Sequence, residues 1–209
     1  SNFDGYANSR HTIAVTAVSH LGGQSDYAEP GANILVSAYS NSGGSIDGIG
    51  ISTTDITGSW GASGDYVDDF GGTSSATPLV SGVIALILEA NPNLTYRDVE
   101  HIIVQSAKTI DANDNSWGTN GAGHDVSHKY GFGVIDANAA VALAENWNNV
   151  DEEINFQSGL IDIQDRSIPD NSAPGIIETT QVSDSIKVEH VEVIVDIDHS
   201  YRGDLAITL

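Results

Sequence analysis

Seven residues, Gly72-Thr73-Ser74-Ser75-Ala76-Thr77-Pro78, run without a break into an apolar stretch that leaves little choice of fold. From Ser75 to Glu89 the residues Leu79, Val80, Val83, Ile84, Leu86, Ile87 and Leu88 fall on nearly all sides of a helix. Ala76, Ser81, Gly82 and Ala85 let other elements approach it closely. Such a helix is expected in the middle of a fold rather than on its surface. Asn91-Pro92-Asn93 stops it. Pro78 is expected in its first turn, where a missing N–H costs nothing.

The start of this helix is where chemistry is expected. A serine hydroxyl is a weak nucleophile until a base removes its proton. It must also stand where main-chain N–H groups can stabilise a developing oxyanion. A Gly-Thr-Ser turn at a helix N-terminus meets both needs: Gly72 permits tight backbone geometry, and the helix dipole favours negative charge near Ser74. By itself Gly-Thr-Ser describes an N-cap serine equally well. The longer string Gly72-Thr73-Ser74-x-Ala76-x-Pro78, followed by Gly82 and an apolar helix, narrows the choice.

The rest of the chain reads as two regions. Up to about residue 150 strands and helices alternate. His11 to Val18 is a β-branched run fit for a buried strand, and Asn33 to Ala38 is a second short apolar run. Gly- and Ser-rich segments, Asn41 to Ser45 and Gly58 to Gly64, separate elements. Thr95 followed by Asp98 opens a helix as a capping box, with Val99, Ile102 and Ile103 as its buried stripe. A polar loop is expected from Asp111 to Ser127, and a third helix from Asp136 to Trp147. Beyond Asn148 to Glu153 the texture changes. Val188, Val191, Val193, Val195 and Ile197 alternate at period two, and Ile161-Asp162-Ile163 and Leu205-Ala206-Ile207 are shorter versions. A boundary near residue 150 and an all-β region after it are expected.

The serine string resembles the nucleophile signature of the subtilisin superfamily. Asp4-Gly5-Tyr6-Ala7-Asn8-Ser9, Tyr27-Ala28-Glu29, the segment Glu89 to Val99 and the segment Val126 to Ala137 are similar to its kexin/furin branch, the proprotein convertases. Ile168-Pro169-Asp170-Asn171 and His199 to Leu205 resemble the P domain, a β-sandwich that follows the catalytic domain there. The resemblance implies a subtilisin-like α/β fold over 1–150, with a parallel sheet and buried helices, in which this chain is the C-terminal half of the catalytic domain. It implies a truncated all-β P domain over 151–209. It further implies a calcium-dependent serine endopeptidase cleaving polypeptides after Arg or Lys, with a dibasic preference in view. Ser74 matches the nucleophile, Asp4 and Thr73 are assigned to substrate binding, and Glu29 matches a calcium ligand. A carboxylate facing a guanidinium forms a strong bidentate pair, and calcium takes several oxygen ligands.

Two departures stand out. Ser1, Phe3 and Gly31 occupy places where eukaryotic members carry cysteine. Trp60 to Phe70 also holds Asp65, Asp68 and Asp69 just before the serine turn, an acidic loop that either favours further basic residues or is simply solvated. The superfamily's catalytic Asp and His and its oxyanion Asn lie upstream of the serine, and none is identifiable here. His101 and His128 sit in segments that read as structural. The chain is therefore expected to need the upstream half of the same protease domain, and to be inactive without it. The competing reading is a protease-like module that binds peptide and calcium without catalysis.

Composition sets the outer limits. With 7 basic and 29 acidic residues the net charge is -22, which disfavours nucleic acid and anionic membrane and favours cations or basic peptides. No stretch approaches the roughly 18 continuous apolar residues of a membrane span. There is no Cys, so no disulfide framework, and no Met, which suggests an internal piece of a longer precursor. Acidity and resemblance point to a secreted or extracellular setting, the bacterial periplasm or cell surface included.

Overall fold

Val15, Thr16 and Val18 are β-branched and lie in β1 (Ala14–Val18), which pairs in parallel with β2 (Ile34–Tyr39). The computed structural model describes residues 4–43, 49–61, 64–161, 166–171, 175–183 and 185–209. Ser1 and Phe3, Gly44 and Ser45 of the Asn41 segment, Ala62 and Ser63 of the Gly58 segment, and Asp162 with Ile163 lie outside the described residues. The chain divides into two units, Ser1–Asp151 and Glu152–Leu209.

In the first unit, Ala17, Val18, Val36 and Ala38 are wholly buried, as suits parallel strands covered on both faces. A third backbone segment, 132–135, continues the pairing. Gly133 C=O accepts from Ser37 N–H at 2.8 Å, and Ile135 N–H donates to Ser37 C=O at 2.9 Å. This close approach requires glycine. Gly131 has φ 63° and a Cβ there would meet Leu35 O at 2.4 Å; at Gly133, φ 127°, it would meet Lys108 O at 2.3 Å.

Helix α1 (Thr73–Ala90) packs on β1, β2 and α3 (Ala137–Ala144), and α2 (Tyr96–Ser106) packs on α3 and β2. Ala76, Val80, Ile87, Val99, Ile102, Ile103, Ala140 and Ala144 form the core between them. The expectation of a helix buried all round is corrected: α1 buries one face, while Leu79, Leu86 and Leu88 are exposed. Its composition permits burial on every side, but β1, β2 and α3 cover only one. By length and composition alone α1 meets the minimum for a membrane span, at 18 residues and mean hydropathy 1.4.

The capping box forms as expected: Thr95 Oγ1 accepts from Asp98 N–H, and Asp98 accepts from Thr95 N–H at 2.7 Å. Asp136 caps α3 by accepting from Ala139 N–H at 3.0 Å and forms a close ion pair with Lys108. Two hairpins complete the unit. β3 (Ile51–Thr54) pairs antiparallel with β4 (Tyr66–Phe70), and β5 (Gly118–Thr119) with β6 (Asp125–Val126) inside the segment expected to be only loop.

Among its described residues the second unit forms one 3-10 turn, Arg202–Asp204, and no strand. Val188, Val191, Val193 and Val195 are exposed. Alternation marks a face able to be buried, but a strand also needs a neighbour for its N–H and C=O groups.

Candidate active site

The turn before α1 separates two adjacent serines. Gly72, with φ 78° and ψ 174°, precedes the helix and lends it no side-chain cap. Ser75 faces inward and is buried; its hydroxyl lies 2.7 Å from Ser40 Oγ and 3.1 Å from Gly72 O. Thr73 and Ser74 face outward and are exposed. Ser74 is thus the serine open to a reactant, at the positive end of a helix whose first turn carries no acidic residue. Pro78 is the sixth residue of α1, not part of its first turn. It removes the helical hydrogen bond that would run to the Ser74 carbonyl.

A cleft of about 510 Å³ adjoins this turn, lined by Thr73 and Thr77 together with Tyr6, Ala7, Glu29 and Asn33, and by β1. It brings Thr73 and Glu29 into one site. Asp4 is not on its wall, but it shapes the wall: Asp4 Oδ1 accepts from Tyr6 N–H and Ala7 N–H, both at 2.9 Å. Those backbone donors, Ala7 first, hold the exposed Asp4 carboxyl below the usual range and keep it ionised. Asn33 Nδ2 donates to Ala7 O at 3.0 Å, which ties the same loop to the residue that precedes β2.

Two buried oxygens in this cleft, Thr16 Oγ1 and Asn33 Oδ1, have no hydrogen-bond partner among the described residues. A buried acceptor left unsatisfied signals a missing partner. Nothing local in the sequence marks them, since Thr16 reads as one more β-branched strand residue. Glu29 and these oxygens are hard donors of the kind calcium takes. Among the described residues no group of three or more His, Cys, Asp or Glu gathers as a metal site. The donor set therefore fits calcium in kind, with Glu29 as its one carboxylate.

Several histidines are engaged elsewhere. His11 meets the edge of Tyr96 at 5.4 Å between ring centroids, and His101 stacks on Trp147 at 6.5 Å. Among the described residues none is hydrogen-bonded to Ser74. Of the acidic loop, Asp65 (φ 63°) accepts from Gly58 N–H at 3.2 Å and so helps close its own hairpin. Asp68 and Asp69 sit exposed where the β3–β4 register slips, on the strand that leads into Gly71-Gly72.

Among known protein families, the profile of the Subtilase family matches residues 4–133. The chain is 37% identical to rat (Rattus norvegicus) furin over 213 residues, covering all of this chain and 26% of furin. It is 40% identical to human (Homo sapiens) proprotein convertase subtilisin/kexin type 5 over 215 residues, 99% of this chain and 11% of that protein. It thus spans about a quarter or less of the length of the curated relatives it matches. Among solved structures, it is similar to the Aeromonas sobria serine protease in complex with its chaperone, with TM-score 0.60 and 30% identity over 67% of this chain and 30% of that one. A Pseudoalteromonas arctica protease aligns with TM-score 0.53 and 30% identity over 67% of this chain and 38% of that one.

Proposed function

Because this chain belongs to the subtilase family, in its kexin/furin-like branch, we propose that it supplies the nucleophile of a serine endopeptidase that cleaves polypeptides after Arg or Lys. Ser74 Oγ attacks the scissile carbonyl carbon as a base takes its proton. The amine leaves with that proton, and water then hydrolyses the Ser74 ester. The base and the further oxyanion donor come from the upstream half of the same protease domain, for which the exposed Leu79 and Leu86 face of α1 is the seat.

The observation that carries this reading is the division between the two serines: Ser75 is buried and bonded, while Ser74 stands exposed at the helix start. Asp4 is the carboxylate that pairs with the substrate's basic side chain, and Thr73 on the cleft wall contacts the substrate backbone. Exposed Asp68 and Asp69 extend the preference to a further basic residue. Calcium, held by Glu29 with the oxygens of Thr16 and Asn33, would fix the cleft wall and balance its charge. Residues 1–150 are the C-terminal half of the catalytic domain and 151–209 the start of a P domain. The net charge of -22 supports a secreted or extracellular setting.

The test is cleavage of an arginine-containing peptide by the full-length polypeptide that carries this chain, against Ser74→Ala. Cleavage after arginine, lost by roughly 10⁶-fold in Ser74→Ala, is expected. Equal rates would refute the reading. Calcium and peptide binding with no cleavage in either protein would support the non-catalytic binding module instead.

A further inference from the structure

Gly72 sets the direction of the chain as it enters α1, and its peptide groups are gripped from outside the turn. Asn41 Oδ1 accepts from Gly72 N–H at 3.1 Å. Ser40 Oγ donates to Gly72 C=O at 2.8 Å, and Ser75 Oγ lies 3.1 Å from the same carbonyl. Both outside grips come from the two residues that follow β2, a strand locked into the core.

The asparagine is itself held. Tyr27 Oη lies 2.8 Å from both Asn41 Oδ1 and Asn41 O, and 2.9 Å from Ser40 Oγ. A phenol has one proton to donate. Asn41 O also accepts from Ser25 Oγ at 2.6 Å, so that backbone oxygen keeps a donor when the tyrosine proton goes to Asn41 Oδ1 at 2.8 Å. Gly71 completes the arrangement. A Cβ there would fall 2.0 Å from Asn41 Cγ and Nδ2, so only glycine lets this amide lie across the turn. The two glycines serve different ends, since Gly71 admits Asn41 and Gly72 takes the positive φ.

We propose that Asn41 is a positioning residue for Ser74, fixing through Gly72 N–H the direction of the Ser74 N–H and hydroxyl, with Tyr27 orienting its amide. This rests on Ser74 being the nucleophile. Asn41 touches no substrate; its effect passes through the backbone of Gly72 and Thr73 to the reacting oxygen. An error of about 1 Å in such an oxygen lowers rate by up to about a hundredfold. Because Asn41 is not on the wall of the cleft, substrate binding is left alone.

The experiment measures kcat and KM for the arginine-containing peptide, and the rate of fluorophosphonate labelling, in the full-length polypeptide. Asn41→Ala is expected to lower kcat and labelling rate by about ten- to a hundredfold with KM unchanged. Asn41→Asp keeps the acceptor and the shape, and is expected within about threefold of wild type. Tyr27→Phe removes only a hydroxyl, and so reports even if Asn41→Ala fails to fold; because Tyr27 lines the cleft, it is read by the labelling rate, where a severalfold fall is expected. Asn41→Ala with wild-type kcat, a change confined to KM, or equal losses in Asn41→Ala and Asn41→Asp would each overturn the proposal. A wild-type protein that neither cleaves nor is labelled would overturn it too, through the failure of the Ser74 reading itself.

Discussion

Asp98 is wholly buried, and its carboxylate collects donors from two distant parts of the chain. Oδ2 accepts from Thr95 N–H at 2.7 Å, Thr95 Oγ1 at 2.6 Å and Asn149 Nδ2 at 3.0 Å. Oδ1 accepts from Trp147 Nε1 at 2.9 Å and Val150 N–H at 2.7 Å. It thereby joins the start of α2 to the segment that leaves α3. Asp98→Asn changes no volume, yet the amide offers one acceptor where two stood. Whichever way it turns, its NH₂ faces at least two N–H donors. Losing the capping interaction costs about 1 kcal/mol. Each buried donor stripped of a charged acceptor costs about 1–3 kcal/mol more. A loss of about 4 kcal/mol is expected, read as a fall of about 8–16 °C in Tm for a chain of this size. Burial alone would raise the Asp98 pKa, but hydrogen bonds from Thr95, Val150 and Trp147 outweigh it and hold it below the ordinary value. With a depressed folded pKa, the stability it contributes is present above the unfolded pKa, about 3.9, and is lost as pH falls through the folded one. Urea unfolding at stepped pH values reads both effects: Asp98→Asn is less stable at neutral pH and its acid limb is flatter. A difference below about 1 kcal/mol at pH 7 would refute the reasoning.

The Tyr130 hydroxyl is pushed up to about 12, first by burial and then by donating to the Asp111 carboxylate. Its neutral form is the folded one, so the stability it contributes is present below about pH 10 and lost as pH rises toward 12; Tyr130→Phe should flatten that alkaline loss in urea unfolding between pH 9 and 12. Calcium at about 100 times its Kd should stabilise the folded protein by about 2.7 kcal/mol, and Glu29→Gln should abolish the accompanying rise in Tm. An equal calcium response in the two proteins would remove Glu29 from the metal site.

What could be read in advance was coded over a few residues. The Thr95–Asp98 box spans three residues and the Asp136 cap another three, so each is visible in the sequence and each forms. The Ser74 turn is local in the same sense. The inward turn of Ser75 is not, because it depends on Ser40, 35 residues away. Asn41 reaches Gly72 across 31 residues, and Asp98 reaches Val150 across 52. No short pattern records such distances, and an asparagine in a Gly- and Ser-rich stretch looks like ordinary turn chemistry. The α1 expectation failed for a related reason: apolar residues on every side state what a helix tolerates, not which neighbours reach it. The placement of Pro78 failed locally, because the helix begins at Thr73, two residues ahead of the expected Ser75. That early start has a consequence. It puts Ser74 inside the first turn, where its N–H has no partner four residues back and stays available to a ligand, and Pro78 frees its carbonyl as well. The backbone around Ser74 is thus released on the helix side and gripped ahead of it at Gly72 by Ser40 and Asn41, so the orientation of its hydroxyl draws on contacts that the serine motif itself does not contain.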